Sequence, residues 1–242
     1  MAKKRAVLNV NALKRWQGII LLASLLAGGW LIRKAQLSEP TKSKAVSPFR
    51  LRDVSRELGI DFRYEDPVLD PRIRHVQKLF FIGGAVAVAD VNGDGWQDIY
   101  AVSSKAGAEA HLYLNREGKR FDNVAKSWGV AAHSPKSAPI VPVFFDYDND
   151  GKPDLYVAGL GCSTLYHNEG GRFVDVSARS GASDCRNSSG AIPFDFDGDG
   201  LLDLYVMRYW GPHDFVNLKS PYVLYENLVD AKNGGRNTYL RN

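Results

Sequence analysis

Three nine-residue acidic segments constrain this chain more than anything else in its sequence. They are Asp90-VNGDGWQ-Asp98, Asp146-YDNDGKP-Asp154 and Asp195-FDGDGLL-Asp203, with first aspartates 56 and 49 residues apart. Each is preceded by an apolar run (84–89, 140–145, 190–194) and followed by Ile-Tyr-Ala-Val, Leu-Tyr-Val-Ala or Leu-Tyr-Val-Met. A fixed period of about 50 residues marks a repeat architecture, in which one unit buries its apolar face only against the next.

Two further landmarks recur in the same order. Phe49 to Gly59, Phe121 to Gly129 and Phe173 to Gly181 form one set. Leu112-Tyr113-Leu114-Asn115 and Leu165-Tyr166-His167-Asn168 form the other. The apolar flanks are short, rich in β-branched and aromatic residues, and interrupted by glycine or proline, so they read as strands. Four short strands per repeat is the content of a β-propeller blade; a β-solenoid is the structural rival, with shorter repeats. The expected fold is all-β, a partial propeller of about three blades over residues 49–242.

The acidic segments carry the chemistry. Oxygen-bearing side chains fill positions 1, 3, 5 and 9: Asp90, Asn92, Asp94, Asp98; Asp146, Asp148, Asp150, Asp154; Asp195, Asp197, Asp199, Asp203. Position 6 is always glycine (Gly95, Gly151, Gly200), which lets the backbone reverse. Position 7 varies (Trp96, Lys152, Leu201), as suits a ligand donated by a backbone carbonyl. Calcium takes about six to eight oxygens and prefers carboxylates, so up to three Ca²⁺ sites are expected. No thiolate or imidazole lies within the loops, which disfavours zinc and copper. An EF-hand or dockerin loop needs glutamate at position 12 and flanking helices; position 12 here is Ala101, Val157 and Val206. The alternative is a set of acidic turns with no metal, since Asp, Asn and Gly suit turns in any case.

These loops, with the L-Y-x-N, Gly and F-x-D-V landmarks around them, resemble FG-GAP/VCBS repeats, the calcium-binding blades of integrin α-like propellers. The opening Phe49–Ile60 segment is similar to the cartilage acidic protein/ASPIC-type group. The resemblance covers roughly residues 49–242. It implies calcium ions that stiffen the loops and a propeller face that binds a protein or carbohydrate ligand. One departure is the 31 residues from Gly59 to Asp90, longer than the corresponding spacing in the later repeats.

Charge divides the chain in two. Residues 1–50 hold ten basic residues and one acid, whereas the rest is acidic by five charges, so the overall +4 is no sign of a nucleic-acid partner. Trp16–Ile32 is uncharged and bracketed by Lys14-Arg15 and Arg33-Lys34. Its 17 residues reach the lower limit for a bilayer-spanning helix. The expected layout is a cytoplasmic tail (1–15), a transmembrane signal anchor (16–32), a linker (33–48) and a periplasmic or extracellular repeat region, with the N-terminus inside. A cleaved signal peptide is the rival reading. The third repeat has two possible Tyr-x-Asn landmarks, at Tyr225 and Tyr239, and no Phe landmark after either. The expectation is therefore an array cut short, with an open arc or closure between chains as alternatives.

Other features are weaker. Cys162 and Cys185 are expected to pair between adjacent blades in an oxidising compartment, two buried thiols being the alternative. Asn187-Ser-Ser fits a glycosylation acceptor. Arg208–His213 offers aromatic and polar groups to a ligand, or packs between blades. No catalytic constellation is visible, so the expected role is a binding or adhesion scaffold; a carbohydrate-active lyase or hydrolase is the alternative.

Overall fold

The computed structural model describes residues 50–68, 70–71, 84–134, 137–208, 211 and 235–242. The chain divides into two compact units, Met1–Arg52 and Asp53–Asn242. The apolar stretch 16–32 lies outside the described residues, as do Phe49, Tyr225 and residues 209–210 and 212–213. Among the described residues no helix is long and apolar enough to cross a membrane.

The second unit is built of antiparallel meanders. Strands β1 (Ala85–Ala89), β2 (Asp98–Val102), β3 (His111–Asn115) and β4 (Phe121–Asn123) form the first sheet in sequential order. Strands β5 (Ala138–Phe145), β6 (Asp154–Leu160), β7 (Thr164–Asn168) and β8 (Phe173–Asp175) form the second. The third holds β9 (Ser188–Phe194), β10 (Asp203–Arg208) and β11 (Thr238–Leu240), ordered β9-β10-β11. Each sequential antiparallel meander fits a propeller-like blade, and the third has no fourth strand among the described residues. A single helical turn, α1 (Ser177–Ser180), follows β8.

Period-two alternation explains the core. Leu155 and Val157 of β6 join a cluster with Tyr100, Val102, Leu112 and Leu114 of the first sheet. Tyr156 and Ala158, on the opposite face, join Ala191, Leu204 and Val206 of the third. A strand packed on both faces reads as a continuous apolar run, and β6 is buried throughout. The outer faces are different. Val86 and Val88 of β1 are exposed, as are Ile192, Phe194, Phe196 and Tyr239 on the far side of the third blade.

The Phe…Gly landmark is a turn that locks neighbouring repeats. Asp53, Asn123 and Asp175 each accept the amide two residues on, from Ser55, Ala125 and Ser177. The residue before the landmark glycine then receives the next repeat's Phe. Phe121 N–H donates to the Leu58 carbonyl at 2.7 Å and Phe173 N–H to that of Trp128 at 2.8 Å. Counting from these turns places Leu51, not Phe49, at the Phe position of the first repeat.

Blades one and two also meet through an imidazole. The Tyr100 hydroxyl donates to the Val130 carbonyl at 2.9 Å, and His133 Nε2 lies 3.0 Å from its oxygen. Burial lowers His133 to about 4, against about 6.5 in an unfolded chain. The fold thus favours the neutral ring, and its contribution is complete above about pH 6.5. Acidification from 6.5 towards 4 removes it, a loss of about 2 kcal/mol allowing for partial exposure. Urea unfolding in chelator at pH 7.5 and 4.5 should therefore show a smaller acid loss for His133→Gln than for the parent chain.

Cys162 and Cys185 form a disulfide across a separation of 23 residues. It ties the β6–β7 loop to the segment entering the third blade, beside the buried Asp184–Arg208 ion pair. Arg208 therefore points inwards, towards Asp184, rather than towards a ligand. Asn187 corrects another expectation. Its side chain is 2% exposed, accepts from Gly161 N–H and donates to the Gly211 carbonyl. A glycan cannot be attached to an amide engaged in this way.

Candidate metal centres

All three acidic loops join the first and second strands of a blade, in the same register. Ala89 faces Asp98, Phe145 faces Asp154 and Phe194 faces Asp203 across the hairpin. Position 1 organises each loop. Asp90 accepts from Asp94 and Gly95 amides, Asp146 from Asp150 and Gly151, and Asp195 from Gly198 and Gly200. Position 5 accepts from the amide of position 7, at 2.9 Å in all three cases: Trp96 to Asp94, Lys152 to Asp150, Leu201 to Asp199. The position-6 glycines lie at φ between +85° and +88°. A feature the spacing did not reveal is that position 4 is left-handed too, at Gly93, Asn149 and Gly198. Its signal was present as residue type, since Gly and Asn tolerate that region best.

Position 9 does more than contribute an oxygen. Asp98 and Asp154 are fully buried and Asp203 nearly so. Each ties the start of its loop to the third strand of its blade. Asp98 accepts from Val91 and Asn115 amides, Asp154 from Tyr147 and Asn168, and Asp203 from Phe196 and Asn242. Burial pushes Asp154 up to about 6, opposed by the two amides. Burial likewise raises Asp98. Asp203 is lowered instead, first by the hydrogen bond from the Tyr239 hydroxyl.

The clustering of donors differs between loops. Carboxylate oxygens of Asp146, Asp148 and Asp154 lie within 4.8 Å of one another, as do those of Asp195, Asp197 and Asp199. Asn92 of the first loop instead donates to Asp94 at 2.8 Å. Hard oxygen donors at this spacing fit a divalent cation of the calcium type.

A lysine and an arginine from the loops or their flanks offset some of this charge. Lys152 Nζ lies 2.5 Å from Asp150, and Arg241, at the end of β11, pairs with Asp197. His167 Nδ1 stands 3.1 Å from Asp154 and 3.4 Å from Asp148. It was missed because it lies outside the nine-residue pattern; its place just before the landmark Asn168 brings it to the second loop.

The landmark asparagines also have a role. Asn168 is fully buried, and its side chain donates to the carbonyls of Val91, in the first loop, and Pro153, in the second. Asn242 repeats this one blade on, donating to Tyr147 and Leu202 carbonyls. The correspondence makes Tyr239–Asn242 the third copy of the landmark. Position 2 of one acidic loop is thereby fastened to the next blade.

Blades that carry an aspartate-rich loop between their first two strands define a class of repeat protein. A family model for the FG-GAP-like repeat matches residues 90–157 and 146–206, and the chain is an FG-GAP repeat protein. It is similar to integrin alpha-3 from Cricetulus griseus, 24% identical over 138 residues. Integrin alpha-3 from Mus musculus is 27% identical over the same length. Each match covers 51% of this chain and only 13% of the relative.

Proposed function

We propose that the protein is an extracytoplasmic binding or adhesion scaffold whose acidic loops hold structural calcium, held at a membrane by the 16–32 span. The observation that carries this reading is the convergence of three carboxylates in each of the second and third loops, Asp146–Asp148–Asp154 and Asp195–Asp197–Asp199. The position-1 and position-9 aspartates are already fixed by backbone amides, so a cation meets a largely formed cage. The repeat family and the likeness to integrin alpha-3 support a binding role. A non-catalytic role agrees with the commitment of the acidic side chains to loop architecture. The membrane reading rests on the uncharged stretch Trp16–Ile32 and its basic flanks.

Calorimetric titration with Ca²⁺ tests the proposal. Binding in the millimolar range or tighter is expected, with loss of a site in Asp197→Ala. Absence of heat up to about 10 mM Ca²⁺ overturns it, because carboxylate cages of this kind bind extracellular calcium at about millimolar levels or tighter. Lys152 competes with the cation for Asp150. Lys152→Ala should tighten the second site by about threefold, as expected for a partly exposed ion pair. The same titration measures it.

A further inference from the structure

One register position separates the three blades. The residue before the landmark asparagine is Leu114 in the first, His167 in the second and Arg241 in the third. Leu114 is 3% exposed and belongs to the apolar core. Arg241 reaches Asp197, at position 3 of the third loop, from an exposed side chain. His167 is largely enclosed. Its Nδ1 lies 3.4 Å from Asp148, at position 3 of the second loop, and 3.1 Å from Asp154, at position 9. The Tyr147 ring packs edge-on against the imidazole, with centroids 5.9 Å apart, and restrains its tilt. Among the described residues, His167 is the only imidazole in a group of three or more possible metal ligands.

This nitrogen changes the donor set of the second loop. Asp148 belongs to two overlapping groups of donors within 4.8 Å, one with Asp146 and Asp154, the other with Asp150 and His167. Two ligand atoms about 2.1 Å from one cation stand about 3.0 Å apart at a right angle and about 3.4 Å apart at the tetrahedral angle. The nitrogen–oxygen separations of 3.1 and 3.4 Å fall in that range. The Asp154 oxygen nearer the ring is fixed by the Asn168 amide at 2.8 Å, so this edge of the site is built before any ion arrives. Calcium takes oxygen ligands, whereas first-row transition cations accept imidazole nitrogen readily beside carboxylate.

We propose that the second acidic loop is a mixed nitrogen–oxygen site, with His167 Nδ1 as a ligand beside the carboxylates of Asp148 and Asp154, and that it selects a first-row transition cation such as Mn²⁺ over Ca²⁺. The inference rests on the reading of the acidic loops as cation sites and adds which cation the second one prefers. At the register position of His167 the third blade carries a guanidinium, which has no lone pair to donate, and the first carries an alkyl chain. The loops thus share one plan and differ in the side chain that their third strand supplies. The oxygens alone admit Ca²⁺, so it is the preference that resides in His167.

The test uses the untagged full chain and Mn²⁺, read by electron paramagnetic resonance. Pulsed spectra should show nitrogen coupling from an imidazole to the bound ion. Half displacement of this nitrogen-coupled signal should need about a tenfold or greater excess of Ca²⁺ over Mn²⁺. His167→Gln should abolish the coupling and weaken Mn²⁺ at the second site by about tenfold or more, while its Ca²⁺ affinity stays within about threefold of the parent. No nitrogen coupling in the parent chain, coupling that survives His167→Gln, or half displacement at less than about a tenfold Ca²⁺ excess overturns the proposal. The parent spectrum decides by itself where the variant folds poorly. Calorimetric Ca²⁺ binding without nitrogen-coupled Mn²⁺ sinks this inference alone. Nitrogen-coupled Mn²⁺ without Ca²⁺ binding sinks the calcium reading alone.

Discussion

Replacing Asp154 by alanine is expected to lower the stability of the repeat unit by about 4 kcal/mol, the scale for breaking a buried charged hydrogen-bond network. Asp154 is fully buried, at the first residue of β6, and holds three elements at once. One oxygen accepts from the Tyr147 amide at 3.1 Å, which closes the acidic loop. The other accepts from the Asn168 amide at 2.8 Å and faces His167 Nδ1 at 3.1 Å, which binds the loop to β7. Alanine leaves two amides without their acceptor and opens a void beneath the loop. Asp154→Asn keeps the volume but turns an NH₂ group towards one of the two amide donors, so an intermediate loss of about 2 kcal/mol is expected. Urea unfolding in chelator measures both. Adding calcium should widen the gap between parent and Asp154→Ala, because only the parent retains the full donor set. An alanine variant within about 0.5 kcal/mol of the parent would mean that the position-9 carboxylate does not hold the loop.

What the chain displayed in advance was whatever its repeats wrote three times. The order of landmarks gave the strands, the meanders and the hairpin position of each acidic loop, because residue spacing survives in sequence. The carboxylates that converge in the second and third loops, Asp146, Asp148 and Asp154, and Asp195, Asp197 and Asp199, all stand at positions marked by the same spacing. Contacts that reach a loop from the third strand of its own blade were not legible. Nothing within the nine-residue pattern indicated that His167 approaches the second loop and Arg241 the third. At the first landmark the aromatic signal comes from Phe49. The turn at Asp53–Gly59 shows that Leu51 holds that register, and a leucine gave no aromatic signal. Asn187 fitted a glycosylation motif, and only the fold reveals that its amide is shared between Gly161 and Gly211.

Asn168 gives the second large effect, and it concerns the joint between blades rather than the loop. Its side chain donates to Val91 at 2.9 Å and Pro153 at 3.0 Å, and accepts from Gly170 at 3.0 Å. Val91 is 1% exposed, so its carbonyl has no access to water once that donor is lost. Truncation to alanine removes three hydrogen bonds and leaves at least one buried carbonyl unsatisfied, a cost of about 3 kcal/mol. Asn168→Asp is the sharper variant. It keeps the acceptor for Gly170 but sets a carboxylate against two carbonyl oxygens, so it should lose at least as much as alanine. The loss has a location as well as a size. Hydrogen exchange should quicken first in the first acidic loop, at Val91 to Gly95, although the substitution lies 77 residues away in sequence. Asn115, whose side chain donates to the exposed Gln97 carbonyl at 3.1 Å and accepts from the exposed Gly118 amide at 2.7 Å, supplies the control. Asn115→Ala should cost about 1 kcal/mol, since both of its hydrogen bonds are solvent-accessible and water replaces them. If the two alanine variants lose the same amount, the asparagine landmark serves its own hairpin alone. If Asn168→Ala loses about 2 kcal/mol more, the landmark fastens one blade to the next.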